Sequence, residues 1–244
     1  MGDNSKSDNS KNDNSKNDNS KSDNSKSDNS KNDNSKSDNS KLLERKFIEG
    51  FEQLAPDKAI RQIIYHAVEV FSKKGYAGTK IKDIAASAGF SQGYVYMYFK
   101  SKDDIFTRIV ELASDGAGMS VQYAAELEGS PMERITWLTE AFLSPDSIAL
   151  QHFRLILLQT ATSEAIPEEA KRVAKEKIMK PFEHLVPLII AGQQAGEIVP
   201  GDPVEIAIAY FSFIQGLGIA RLQTTSAAPF PSTELVLRFM KRER

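Results

Sequence analysis

Thr79-Lys-Ile-Lys-Asp-Ile-Ala-Ala-Ser-Ala-Gly-Phe-Ser-Gln-Gly-Tyr-Val-Tyr-Met-Tyr-Phe99 is the stretch from which the rest of the chain can be read. Ile81, Ile84, Ala85 and Ala88 recur at helical spacing and share one face of a short helix expected over residues 80–88. Ala85 is small where a second helix has to cross closely, and Gly89 can take the positive φ that turns the chain. Phe90 plugs the corner between the helices. Ser91 caps a second helix, expected over residues 92–99, whose inner face is Val95 and Phe99. These are the requirements of a helix-turn-helix. An ordinary helical hairpin accounts for the apolar positions but not for the joint spacing of Ala85, Gly89 and Ser91.

Helical signals continue on both sides. Upstream, Leu43, Phe47, Phe51 and Leu54 form one apolar stripe on a short helix ended by Pro56, which suits a docking role. Asp57 then caps a helix with the inner face Ile60, Ile63, Ile64, Ala67, Val68 and Phe71, terminated at Gly75. Downstream, a long helix runs from residue 102 to about 127. Ser130-Pro131-Met132-Glu133 starts the next with a capping box, and Ser144-Pro145-Asp146 introduces another, ending near residue 161. A long amphipathic helix opens at Ile166-Pro167-Glu168-Glu169, with interruptions expected at Pro181 and Pro187. Pro203 starts a helix running to about residue 223, and Ser232 caps a final one. No segment sustains period-two alternation, so the fold is expected to be all-α.

The first forty-one residues stand apart. From Asp3 the pentapeptide Asp-Asn-Ser-Lys-(Ser/Asn) recurs eight times, the last copy running into Leu42. Residues 2–41 carry no apolar side chain and cannot bury enough surface to offset chain entropy, so a disordered tail is expected. One Lys and one Asp per copy make it neutral, unlike a basic DNA-gripping arm. The other 203 of the 244 residues can hold a substantial core. Cysteine is absent, which removes disulfides, thiolate nucleophiles and Cys-ligated metals. No apolar run approaches the roughly 20 residues that span a bilayer, so no membrane role and a cytoplasmic location are expected. Residues 57–104 hold eight Lys/Arg against five Asp/Glu, and residues 105–244 hold thirteen against seventeen. A basic unit followed by an acidic one fits DNA binding by the first.

The run Phe71…Gly75-Tyr76…Thr79…Ile84-Ala85…Ala88-Gly89…Ser91-Gln92-Gly93…Tyr96…Tyr98-Phe99-Lys100-Ser101-Lys102-Asp103…Phe106 resembles the DNA-binding domain of TetR-type transcriptional regulators. The resemblance implies an N-terminal helix-turn-helix domain over residues 57–104, preceded by a lead-in helix over 42–56. It implies a helical regulatory and dimerisation domain over 105–244. The segment from Ser91 would enter the major groove of double-stranded DNA, with Ser91, Gln92, Gly93 and Tyr94 nearest the bases. Gln92 can pair with adenine; the family often has Lys or Arg there, so base preference is open to shift. Tyr96, Tyr98 and Lys102 would bond phosphates, and Thr79 and Lys80 would offer them backbone N–H groups at a helix start.

The same resemblance implies a homodimer that reads a palindromic operator, most often as a repressor, and a small-molecule effector that releases it. The helix at 203–223 is apolar nearly all round, which means burial on two sides. Phe211, Ile214, Leu217 and Gly218, with Leu235 and Phe239 of the final helix, are the expected dimer contacts. Met119, Tyr123, Trp137, His152, Gln159 and Phe182 are large, adaptable or polar side chains on apolar helices and are the expected ligand contacts. No cofactor and no metal are expected. His66, His152 and His184 lie in different helices with no metal-binding spacing, and no phosphate loop appears, so an enzyme is disfavoured. The alternative is a helical scaffold or interaction module that uses the motif for packing alone.

Overall fold

A computed structural model of the chain describes residues 41–243 except 44, 47, 145–147 and 224–229, with backbone alone for 148–150, 222 and 223. The repeat tail, Phe47 and the start expected at Pro145-Asp146 therefore lie outside the described residues. Lys41, expected in the tail, is helical.

The described residues form helices joined by short connections, with one isolated β-bridge between Ile198 and Lys241. After α1 (residues 41–54) come α2 (Lys58–Gly78), α3 (Ile81–Ala88), α4 (Gln92–Tyr96) and α5 (Lys102–Glu126). The remainder are α6 (Pro131–Leu143), α7 (Ile148–Thr162), α8 (Glu168–Lys177), α9 (Lys180–Gln194), α10 (Pro203–Gln223) and α11 (Thr233–Leu237). The fold is all-α.

Local chemistry sets the boundaries. Asp57 accepts the N–H groups of Ala59 and Ile60, at 2.7 and 3.1 Å, and starts α2. Ser130 and Glu133 close a reciprocal capping box on α6. The helix expected from Glu168 onward is two helices: Ile178 and Met179 keep right-handed helical angles, but Pro181 at the start of α9 has no N–H to continue the α8 ladder. Pro187 is tolerated within α9. The last helix is shorter than its apolar pattern suggests: Phe239 and Met240 follow α11 in a turn that leads into the bridge with Ile198.

Two apolar cores result. One joins α2, α3 and α4 to the first half of α5 and continues into Phe153 and Ile156 of α7 and Ala170 of α8. The other gathers the second half of α5 with α6, α9, α10 and α11. Helix α5 thus belongs to both. Leu43 of α1 is fully buried, and Phe51 meets Phe153 edge-on at 6.3 Å, so the lead-in helix docks across α5 and α7.

By length and hydropathy the span Pro203–Arg221 of α10, 19 residues, could cross a membrane, which the sequence pattern did not lead us to expect. Its packing gives one side to the core. Ala207, Tyr210 and Ile214 are buried, and the Tyr210 hydroxyl lies 3.0 Å from Thr139 Oγ1 of α6.

Candidate DNA-binding interface and ligand cavity

The helix-turn-helix is built as its sequence requires. Gly89 sits at φ 70°, ψ 24°, the left-handed conformation that an L side chain resists, and Phe90 N–H returns to Ala85 O at 2.9 Å. Ala85 is 2 % exposed beneath the crossing helix, and Val95 is fully buried. Behind the motif, Phe71, Tyr76 and Phe106 form an aromatic cluster; Phe106 meets the other two edge-on at 5.0 Å. Gln62 Nε2 donates to Ala88 O at 3.0 Å, fixing α3 on α2.

This frame presents the leading turn of α4 outward. Ser91, Gln92 and Gly93 are exposed. Ser91 Oγ accepts the Tyr94 N–H at 3.1 Å as the cap and keeps its own proton to donate. Nothing but Ser91 Oγ, at 3.9 Å, approaches the position of a Cβ on Gly93, so its backbone is open to a partner. Tyr96 is half exposed, and Lys80 is exposed. Tyr94 and Tyr98 are half-buried and share a hydroxyl contact of 3.2 Å. That bond, helped by burial and the neighbouring charges, pushes the Tyr98 phenol up to about 12.

Three phosphate contacts expected from sequence meet a different situation. Thr79 is 1 % exposed; its hydroxyl donates to Gly75 O at 2.7 Å and its N–H to Tyr76 O. The Lys80 N–H is held by Asp83 Oδ2 at 3.0 Å, because α3 begins one residue later than expected. Lys102 is half-buried, with Nζ 2.9 Å from Tyr76 O and 4.1 Å from the centre of the Tyr76 ring. Its charge locks α5 onto the end of α2, where it serves packing. One surface residue went unread. Met97, 75 % exposed, lies beside Tyr96 because α4 ends at residue 96 and turns it away from the core. Its place two residues past the buried Val95, on the opposite helix face, was the available signal.

The regulatory half holds a cavity of about 620 Å³ between α5, α7, α8 and α10. None of the six expected ligand residues lines it. Met119 and Tyr123 instead border a cavity of about 190 Å³ against α1. Tyr123 and Trp137 meet edge-on at 5.6 Å, and Phe182 packs on Phe211 at 4.9 Å. His152 faces α2, where burial outweighs Glu69 and holds its imidazole below the usual range. Gln159 Oε1 is buried without a hydrogen-bond partner.

Four residues expected at a dimer contact line that cavity: Phe211, Ile214, Leu217 and Gly218. A helix that is apolar on every side does not reveal its rotation; the Tyr210–Thr139 contact sets it here. The outward stripe is Val204, Ile208 and Phe213, continued by Leu235 and Phe239, with Phe213 and Phe239 rings 5.1 Å apart.

Crossed short helices, a glycine turn and an outward leading turn define a helix-turn-helix DNA-binding protein. Residues 63–109 match the family described as bacterial regulatory proteins, tetR family. The HTH-type transcriptional regulator YfiR of Bacillus subtilis is 30 % identical over 160 residues, 64 % of this chain and 75 % of that protein. The fatty acid metabolism regulator protein of the same organism is 28 % identical over 150 residues, 60 % of this chain and 74 % of that one. Among solved structures, a transcriptional regulator from Saccharomonospora viridis in complex with choline shares the fold. Its TM-score is 0.60 at 23 % identity, covering 76 % of this chain and 99 % of that one. The fatty acid degradation regulator FadR from Bacillus halodurans has a TM-score of 0.61 at 19 % identity, covering 75 % and 93 %. The chain belongs to the TetR family of transcriptional regulators, and these relatives regulate transcription and are not enzymes.

Proposed function

We propose that the protein is a cytoplasmic repressor that binds a palindromic operator as a homodimer and is released by a small molecule. The observation that carries this reading is the course of α5. Its first turn anchors the DNA-reading head, and its middle forms a wall of the large cavity. Asp115 of α5 takes Lys177 of α8 at 2.7 Å, and Lys180 of α9 bonds the other oxygen. Glu111 receives Lys177 at 3.3 Å and pairs with Arg108, whose guanidinium also bonds Leu54 O of α1. A ligand that binds one arrangement of α8 against α5 better than another biases the head by that difference in affinity.

The head reads DNA through Ser91, Gln92, Gly93 and Tyr94, with Tyr96, Tyr98 and Lys80 on phosphates. The exposed apolar stripe of α10 and α11 supplies the partner contact, and two-fold pairing of heads implies two-fold related half-sites. The regulatory half, residues 105–244, holds both effector and partner.

The test is to sequence DNA fragments retained by the purified chain and to measure their affinity with Gln92→Ala. The expected result is a palindromic consensus, with the variant losing about 1–3 kcal/mol of discrimination at one base position. An equal loss on unrelated sequences removes Gln92 from base reading. Absence of any enriched sequence returns the molecule to the scaffold alternative.

A further inference from the structure

The large cavity is apolar over most of its wall, but its charge is one-sided. Its described lining includes Arg154, Lys171, Lys175, Lys177 and Arg221, and no Asp or Glu. Lys171 pairs with Glu168, and Lys177 with Asp115 and Glu111. Among the described residues the two arginines pair with no carboxylate. Arg154 Nη1 donates to Phe142 O at 2.8 Å, and its guanidinium lies 4.5 Å from the centre of the Phe142 ring. Its Nη2 is buried with no hydrogen-bond partner. Arg221 Nη2 donates to Leu143 O at 3.1 Å, and its guanidinium stacks 3.8 Å from the Phe230 ring. Both arginines thus converge on consecutive carbonyls at the C-terminal end of α6.

Capping a helix end explains one hydrogen bond from each arginine. It does not explain why Nη2 of Arg154 is buried with no acceptor. Burial, only partly offset by Tyr210, lowers Arg154 to about 10, so the site holds this cation at a cost. An aromatic ring behind a guanidinium leaves its in-plane edge for a bidentate acceptor. Leu155, Leu158, Phe211 and Leu217 supply apolar wall around it.

We propose that the cavity binds an amphipathic carboxylate, its anionic head taken by Arg154 with Arg221 beside it and its hydrocarbon part laid along α7 and α10. This deepens the reading of the cavity as an effector site and names the chemistry of the effector. A cationic ligand has no carboxylate to meet among the described lining residues, and a neutral one leaves Nη2 of Arg154 without a partner.

The experiment is calorimetric titration of the full chain with octanoate, dodecanoate and hexadecanoate, each against its alcohol, and with dodecyltrimethylammonium. At least one carboxylate is expected to bind about tenfold or more tightly than its alcohol, as a charge-assisted hydrogen bond gives. Arg154→Gln is expected to abolish that preference while still binding the chain length, and Arg154→Lys to restore part of it. If Arg154→Gln fails to fold, the comparison of carboxylate, alcohol and ammonium on the unaltered protein decides alone. Equal affinity for alcohol and carboxylate, tighter binding of the ammonium, or no binding by any carboxylate overturns the proposal. Release of bound operator is measured separately. Carboxylate binding that leaves operator bound removes the effector role under Proposed function but leaves the ligand assignment standing.

Discussion

The DNA-reading head and the cavity-bearing half are both helical, yet they treat interior space in opposite ways. In the head, Phe71, Tyr76 and Phe106 interlock, Ile84 and Val95 are sealed, and the Lys102 charge is used on Tyr76. The other half leaves about 620 Å³ open and keeps a guanidinium edge unbonded. A surface that must match a fixed groove gains from being held rigid before contact. A sensor gains from unfilled volume and an unsatisfied group, because a ligand that supplies both stabilises the state it binds. The two designs are joined by α5, with α7 packed against the head beside it.

The comparison breaks most sharply under truncation of the head. Phe71→Ala is expected to cost about 3–5 kcal/mol in urea denaturation, since a fully buried ring is lost from an aromatic cluster. A cost near that of a surface change would mean that the head is no better packed than its neighbour. At the junction, Asp115→Asn is expected to cost about 1–3 kcal/mol at neutral pH. Burial raises the Asp115 carboxyl, but its bonds to Lys177 and Lys180 prevail and hold it below the usual carboxylate range. A depressed carboxylate contributes above its unfolded value near 4 and loses the contribution as pH falls through its folded value. The gap between wild type and Asp115→Asn should therefore close in acid, and a gap constant with pH would deny the ion pair its role.

Gly89→Ala addresses the turn itself and is expected to cost about 1–2 kcal/mol. Only the backbone conformation resists the added methyl, as no atom lies within 4 Å of it. Thermal denaturation measures it, and an unchanged midpoint would mean that the turn relaxes out of its left-handed state. The smallest effect is expected at the cavity: Leu158→Ala, facing open volume, should cost about 1 kcal/mol, well under an ordinary core deletion. A loss as large as that of Phe71→Ala would show that the cavity wall is packed no less tightly than the head.

Most of the head was legible because its constraints are local. The positive φ at Gly89, the cap at Ser91 and the four-residue spacing of Val95 and Phe99 need no knowledge of distant contacts. The internal partners of Thr79 and Lys102, Gly75 O and Tyr76 O, were not legible for the converse reason: they depend on how α2 ends after its bend at Gly75. In the regulatory half, sequence favoured conspicuous side chains as ligand contacts, and none of them borders the large cavity. Arg154 and Arg221 gave no local signal, because an arginine on a helix reads as surface until its neighbours are known.

By itself the sequence determined the helical class, the capped starts at Asp57, Ser91 and Ser130, the glycine turn and the family, since each follows from interactions within a few residues or from a contiguous motif. Only the tertiary structure decided which side of α10 meets the core, which residues enclose empty space, and which cation lacks an anion. Those outcomes depend on packing between segments far apart in the chain, where an apolar helix can rotate and a charge can be buried without any mark in its local pattern.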